Sequence, residues 1–151
     1  MIVDASVLLH VFLPDEMQSQ ALAVVREHVD GRDHLKAPAL LPYELGNAVL
    51  QAERRGRIQR DQAGRIIESF TNLDIEIVPQ AWGGTLPLAR QYDRSAYEAA
   101  YLALAQLSLL FGLEVYCIQA LFAGIGIAAG SAGHFICYLS PALSMGWSKS
   151  R

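Results

Sequence analysis

Cysteine is scarce in this chain of 151 residues: Cys117 and Cys137 stand twenty apart, with no CxxC arrangement. That excludes a disulfide-stapled scaffold and fits two small buried thiols in a reducing, cytoplasmic setting. Histidine is equally unhelpful as a ligand, because His10, His28, His34 and His134 are scattered and make no zinc pattern. No basic segment precedes the acid at position 4, so no cleavable signal peptide is expected. An excess of positive charge is missing too, since 12 Lys and Arg face 15 Asp and Glu for a formal net charge of -3. Such a balance argues against general coating of nucleic acid, but not against contact at one site.

The largest absence is of charge near the C-terminus. From Ala99 to Trp147 the only Asp, Glu, Lys or Arg is Glu114. The first 106 residues carry 14 acids and 10 bases, a net of -4, and Glu114, Lys149 and Arg151 bring the total to -3. Val115 to Trp147 is thus a stretch of 33 residues without formal charge. Runs of about 18 or more apolar residues flag membrane helices, and Gly126 and Gly130 form a small-xxx-small pair. Gln119, His134, Pro141 and dense Gly, Ser and Ala dilute that reading, and no membrane attachment is expected. Two other accounts remain: an apolar segment that packs on the domain or a second subunit, or a changed reading frame near Cys117. The division expected is one domain over 1–116 and an atypical Gly/Ala/Ser-rich tail over 117–151.

What is present begins at the first residue. Met1-Ile2-Val3 is a short apolar run that ends in Asp4, as a buried central strand with an acid at its carboxyl end. In open α/β sheets ligands bind outside those carboxyl ends. Ser6 is a candidate cap for the helical run Val7 to Leu13, which stops at Pro14. Asp4 itself is an alternative N-cap. Asp15 and Glu16 suit the start of a second helix, which carries Ala21, Leu22, Val24, Val25 and Val29 and ends at Asp30-Gly31.

Leu35-Lys36-Ala37 is a short strand candidate closed by Pro38, and Pro42 then fits the first turn of a helix that places Glu44 in that turn. Glu44 and Asn47 are three apart and share a face. Gly56 interrupts, and Asp61 starts another helix through Phe70. Arg54, Arg55, Arg57, Arg60 and Arg65 between them are either an RNA-facing patch or a solvated connection. Asp74 to Pro79 alternates as a strand, Trp82-Gly83-Gly84 reads as a loop, and a short helix ends near Arg94. Ser95 and Glu98 form a capping box for the next helix, which ends at Phe111-Gly112 before a fourth strand over 113–117. Strands alternating with helices predict a parallel sheet covered on both faces.

Asp4, Glu44 and Glu98 would meet at one end of that sheet if both helices begin near its carboxyl edge. Carboxylates brought together repel one another, and a hard divalent cation such as Mg²⁺ or Mn²⁺ relieves this. All-oxygen ligands select such ions over zinc, and phosphodiester cleavage is the chemistry they serve best. Each acid also has a purely structural reading, Glu44 as a helix-dipole acid and Glu98 as half of the capping box.

Three segments in order, Met1-Ile2-Val3-Asp4-Ala5-Ser6, Leu41-Pro42-Tyr43-Glu44-Leu45-Gly46-Asn47-Ala48 and Ser95 to Ala105, resemble the signatures of PIN-domain proteins. The nearest type is the VapC-like ribonuclease toxin of type II toxin–antitoxin modules, and the resemblance runs from Met1 to about Tyr116. It implies a three-layer α/β/α PIN-like fold with a central, mostly parallel sheet, and a Mg²⁺- or Mn²⁺-dependent endoribonuclease leaving a 3′-hydroxyl and a 5′-phosphate. It also implies an RNA substrate, a VapB-like antitoxin partner and a homodimer. By the same resemblance Asp4 and Glu98 hold the principal metal, and Glu44 holds it through water or binds a second ion. Ser6 positions metal or water, and Asn47 matches a polar position on the Glu44 face.

Two departures from the family stand out. The third acid is usually Asp, and Glu98 carries its carboxylate one methylene further out; Asp93 is the fallback. The family's fourth acid is missing, because Cys117-Ile118-Gln119-Ala120 replaces a Thr-Ala-Asp-like segment. Impaired activity is one expected consequence, and the alternative function is a catalytically inactive PIN-fold module that binds an antitoxin.

Overall fold

The structure, a computed structural model, describes residues 1–79 and 82–110. Its elements run α1 (Ala5–Phe12), α2 (Ser19–Val29), β1 (Lys36–Pro38), α3 (Leu41–Arg54), α4 (Arg60–Asn72), β2 (Glu76–Val78), α5 (Trp82–Tyr92) and α6 (Ala96–Leu110). The fourth strand expected over 113–117, the end of the last helix at Phe111-Gly112 and the whole tail over 117–151 lie outside the described residues. No described helix is long and apolar enough to cross a membrane.

The sheet is parallel. Lys36, Ala37 and Pro38 pair with Glu76, Ile77 and Val78. On the other side of β1, Ile2 bridges to Lys36, with Lys36 N–H donating to Met1 O and Val3 N–H donating to Lys36 O. Among the described residues β1, rather than Met1–Val3, therefore takes the central place. Pro38 ends the strand, where its missing N–H costs the ladder least.

Alternation along these strands sorts side chains into two faces. Met1, Val3, Leu35, Ala37 and Ile75 pack with Leu8, Val25, Leu41, Leu45, Val49 and Ile66 of the first four helices. Ile2 and Val78 point the other way, into a cluster with Tyr101, Leu104 and Ala105 of α6. Leu88 and Ala89 of α5 pack on Ala99, Leu102 and Ala103 of the same helix. Helices thus cover both faces of a parallel sheet, in the PIN-like α/β arrangement expected. Burying one of the larger side chains here, such as Leu45, contributes about 1.5–3 kcal/mol.

Helix ends follow local chemistry in most places. Gly31 and Gly56 adopt φ values of 71° and 72°, the left-handed conformation that closes α2 and α3. The following N–H groups reach back to carbonyls five residues earlier, Arg32 to Glu27 and Arg57 to Ala52.

Three local expectations are corrected. The second helix starts at Ser19, not at Asp15-Glu16, because those acids are engaged by Arg57 instead. Trp82-Gly83-Gly84 is the first turn of α5 rather than a loop, since packing of Leu88 and Ala89 on α6 outweighs the weak helix propensity of glycine. The α1 cap is Asp4, not Ser6.

Candidate active site

Asp4 follows the bridged segment Met1–Val3 in extended conformation and caps α1. Its Oδ1 accepts from the Val7 N–H at 3.1 Å and from the Ser6 hydroxyl at 2.8 Å. Ser6 thus acts on the acid rather than on the helix: its hydroxyl fixes the Asp4 rotamer. Both bonds fall on one oxygen, so Oδ2 remains without a hydrogen bond among the described residues. The residue is buried, 7% exposed.

Glu44 stands in the first turn of α3, just after Pro42. The apolar side of this helix, Leu41, Leu45 and Val49, is buried in the core and fixes how Glu44 is presented. Its Oε2 accepts from the Tyr101 hydroxyl at 2.5 Å. Burial pushes the Glu44 carboxyl above the ordinary range; the Tyr101 bond opposes this, and the nearby Asp4 charge adds to it. Asp4 and Glu44 therefore feel one another, although they are forty residues apart in sequence. Asn47 is exposed one helical turn beyond Glu44.

Glu98 is engaged differently. Its Oε2 accepts from the Ser95 backbone N–H at 2.9 Å and the Ser95 hydroxyl at 2.7 Å, while its own N–H donates to Ser95 Oγ at 3.2 Å. The capping box is complete, and these bonds hold the Glu98 carboxyl below its ordinary range. Among the described residues no three His, Cys, Asp or Glu side chains group closely enough to hold one metal ion. The carboxylates in electrostatic contact are Asp4 and Glu44, and Glu98 stays with Ser95. The fallback acid, Asp93, has φ 50° just past α5, where it serves the turn that lets Arg94 N–H reach Ala89 O.

Two of the clustered arginines are already engaged. Arg57 donates through Nε and Nη2 to Asp15 and through Nη2 to Glu16, and Arg65 pairs with Asp61. Those two favour the solvated-connection reading. Tyr101 is the contact that sequence reasoning missed: a tyrosine in an apolar helical run reads as core, and nothing local marks a partner 57 residues away.

The pair fits a hard cation on its own chemistry. Both side chains are oxygen donors, each has one oxygen that takes no hydrogen bond among the described residues, and burial disfavours Glu44 as a lone charge.

No family model matches the chain. Ribonuclease VapC3 of Pyrobaculum aerophilum is 28% identical over 110 residues, which cover 70% of this chain and 81% of that protein. The crystal structure of PAE2754 from Pyrobaculum aerophilum matches with a TM-score of 0.59 at 25% identity, over 81% of this chain and 76% of that one.

Proposed function

We propose that this chain, which is similar to ribonuclease VapC3 of Pyrobaculum aerophilum, is a VapC-type PIN protein, a metal-dependent endoribonuclease and the toxin of a type II toxin–antitoxin pair. The observation that carries this reading is the pairing of Asp4 and Glu44 at the carboxyl edge of the sheet, where the Asp4 charge helps to raise a Glu44 carboxyl already disfavoured by burial. Asp4 and Glu44 would hold Mg²⁺ or Mn²⁺, with Glu98 joining them by leaving Ser95. When bound, such an ion polarises the phosphate and makes water a better nucleophile. The chain's own part is to aim Asp4 through Ser6 and the α1 N-terminus, and to hold Glu44 against Tyr101.

Support for a single-stranded RNA substrate comes from two aromatic side chains beside the acids. Tyr43, next to Glu44, is 80% exposed, and Tyr97, next to Glu98, is 69% exposed. Exposed aromatic faces stack on unpaired bases, at about 1–3 kcal/mol per base. A VapB-like antitoxin, a homodimeric assembly and a cytoplasmic setting belong to the same proposal.

A second reading has its own observation. The closed Ser95–Glu98 box leaves the third acid occupied, as in a module that keeps the fold and an antitoxin surface but does not cleave. Incubation with single-stranded RNA and Mg²⁺ separates the two. Cleavage that disappears in a folded Asp4→Asn variant supports the enzyme. Equal cleavage by both proteins would expose a contaminant, and no cleavage by either favours the silent module.

A further inference from the structure

We propose that Tyr101 is the positioning residue for the Glu44 carboxylate, holding one of its oxygens so that the other faces a divalent cation. This rests on the metal-dependent reading above and gives α6 a role apart from Glu98.

The Tyr101 side chain is one of the largest fully buried side chains, only 2% exposed. It belongs to the cluster that contains Ile2, Leu104 and Ala105, with Leu40 and Val78 packed against it. Ile2, which bridges to β1, lies two residues before Asp4, and Leu40 lies four before Glu44 at the entrance to α3. A single cluster therefore braces both segments that deliver the acids. From it the Tyr101 hydroxyl reaches Glu44 Oε2 at 2.5 Å, a short bond of the kind made to a charged acceptor. A hydroxyl on a ring fixed by packing has little freedom, so the carboxylate it holds has little either. Oε1 takes no hydrogen bond among the described residues.

Outer partners of metal-binding carboxylates typically matter by about 10–100-fold in metal affinity. Titration of the full chain with Mn²⁺ alone, followed by loss of the free-ion EPR signal at fixed pH, reads this directly. Tyr101→Phe keeps the ring in its cluster and removes only the hydroxyl; its dissociation constant for Mn²⁺ is expected to rise about 10–100-fold. In a Glu44→Gln background the same change should add nothing, because the group it acts through has gone. Equal Mn²⁺ affinity in wild type and Tyr101→Phe, or a full additional loss in the double variant, would overturn the proposal. No Mn²⁺ binding by the wild type would instead sink the cation reading of the whole site, and this inference with it. Should Tyr101→Phe fail to fold, NMR of the wild type decides. Mn²⁺ must broaden the Tyr101 ring resonances, and a ring that stays sharp at saturating Mn²⁺ contradicts the contact.

Discussion

Ser95 holds the Glu98 carboxylate twice, through its backbone N–H at 2.9 Å and its hydroxyl at 2.7 Å. That relationship decides whether the third acid is available to a cation. Ser95→Ala removes the hydroxyl and should destabilise the metal-free protein by about 1 kcal/mol, the usual cost of an N-cap. It should also loosen Glu98 and so tighten Mn²⁺ binding if Glu98 joins the site. Weaker or unchanged Mn²⁺ binding in a folded Ser95→Ala variant would confine Glu98 to its structural role.

Glu44 makes a prediction about pH. Its folded carboxyl is raised above the ordinary glutamate value, chiefly by burial. A raised acid contributes stability fully present below the unfolded pKa, and that contribution is lost as pH rises through the interval up to the folded pKa. Glu44→Gln should therefore match the metal-free wild type in acid and become the more stable of the two at neutral pH. Partial exposure of the carboxylate keeps the difference modest. Urea midpoints of both proteins in EDTA at pH 4 and pH 7 check this; a midpoint gap that narrows toward neutrality would refute the raised carboxyl.

Arg57 links the turn after α1 to the turn after α3 by gripping Asp15 and Glu16. This holds the Asp15 carboxyl below its ordinary range, so the pair contributes stability above that range and loses it as pH falls. Because all partners lie near the surface, salt should screen the effect. Arg57→Ala is expected to melt below the wild type in dilute buffer, with the gap closing in concentrated salt. A gap that persists unchanged would point to lost side-chain packing rather than charge.

Local signals were the ones legible in the sequence. The Ser95-x-x-Glu98 box, Pro42 in the first turn of α3, and Gly31 and Gly56 at helix ends depend on residues within a few positions of one another. The two-face pattern was readable for the same reason, because Met1, Ile2 and Val3 alternate between clusters by strand geometry alone. What escaped were arrangements decided at long range. Asp15 and Glu16 look like a helix start until Arg57 is brought beside them. Gly83 and Gly84 look like a loop until α5 finds α6. The approach of Asp4 to Glu44 was expected from their places after two strands, but Tyr101 bonded to Glu44 follows only from how the sheet and α6 close around it.

Thermal melting against Mg²⁺ concentration bears most directly on the Asp4–Glu44 pair as a cation site. A ligand that binds only the folded chain stabilises it by about 2.7 kcal/mol at a hundred times its dissociation constant. The wild-type melting temperature should climb steadily with added Mg²⁺, and Asp4→Asn should flatten that climb. A wild-type melting temperature indifferent to Mg²⁺, or an Asp4→Asn curve that rises as steeply, would contradict the site.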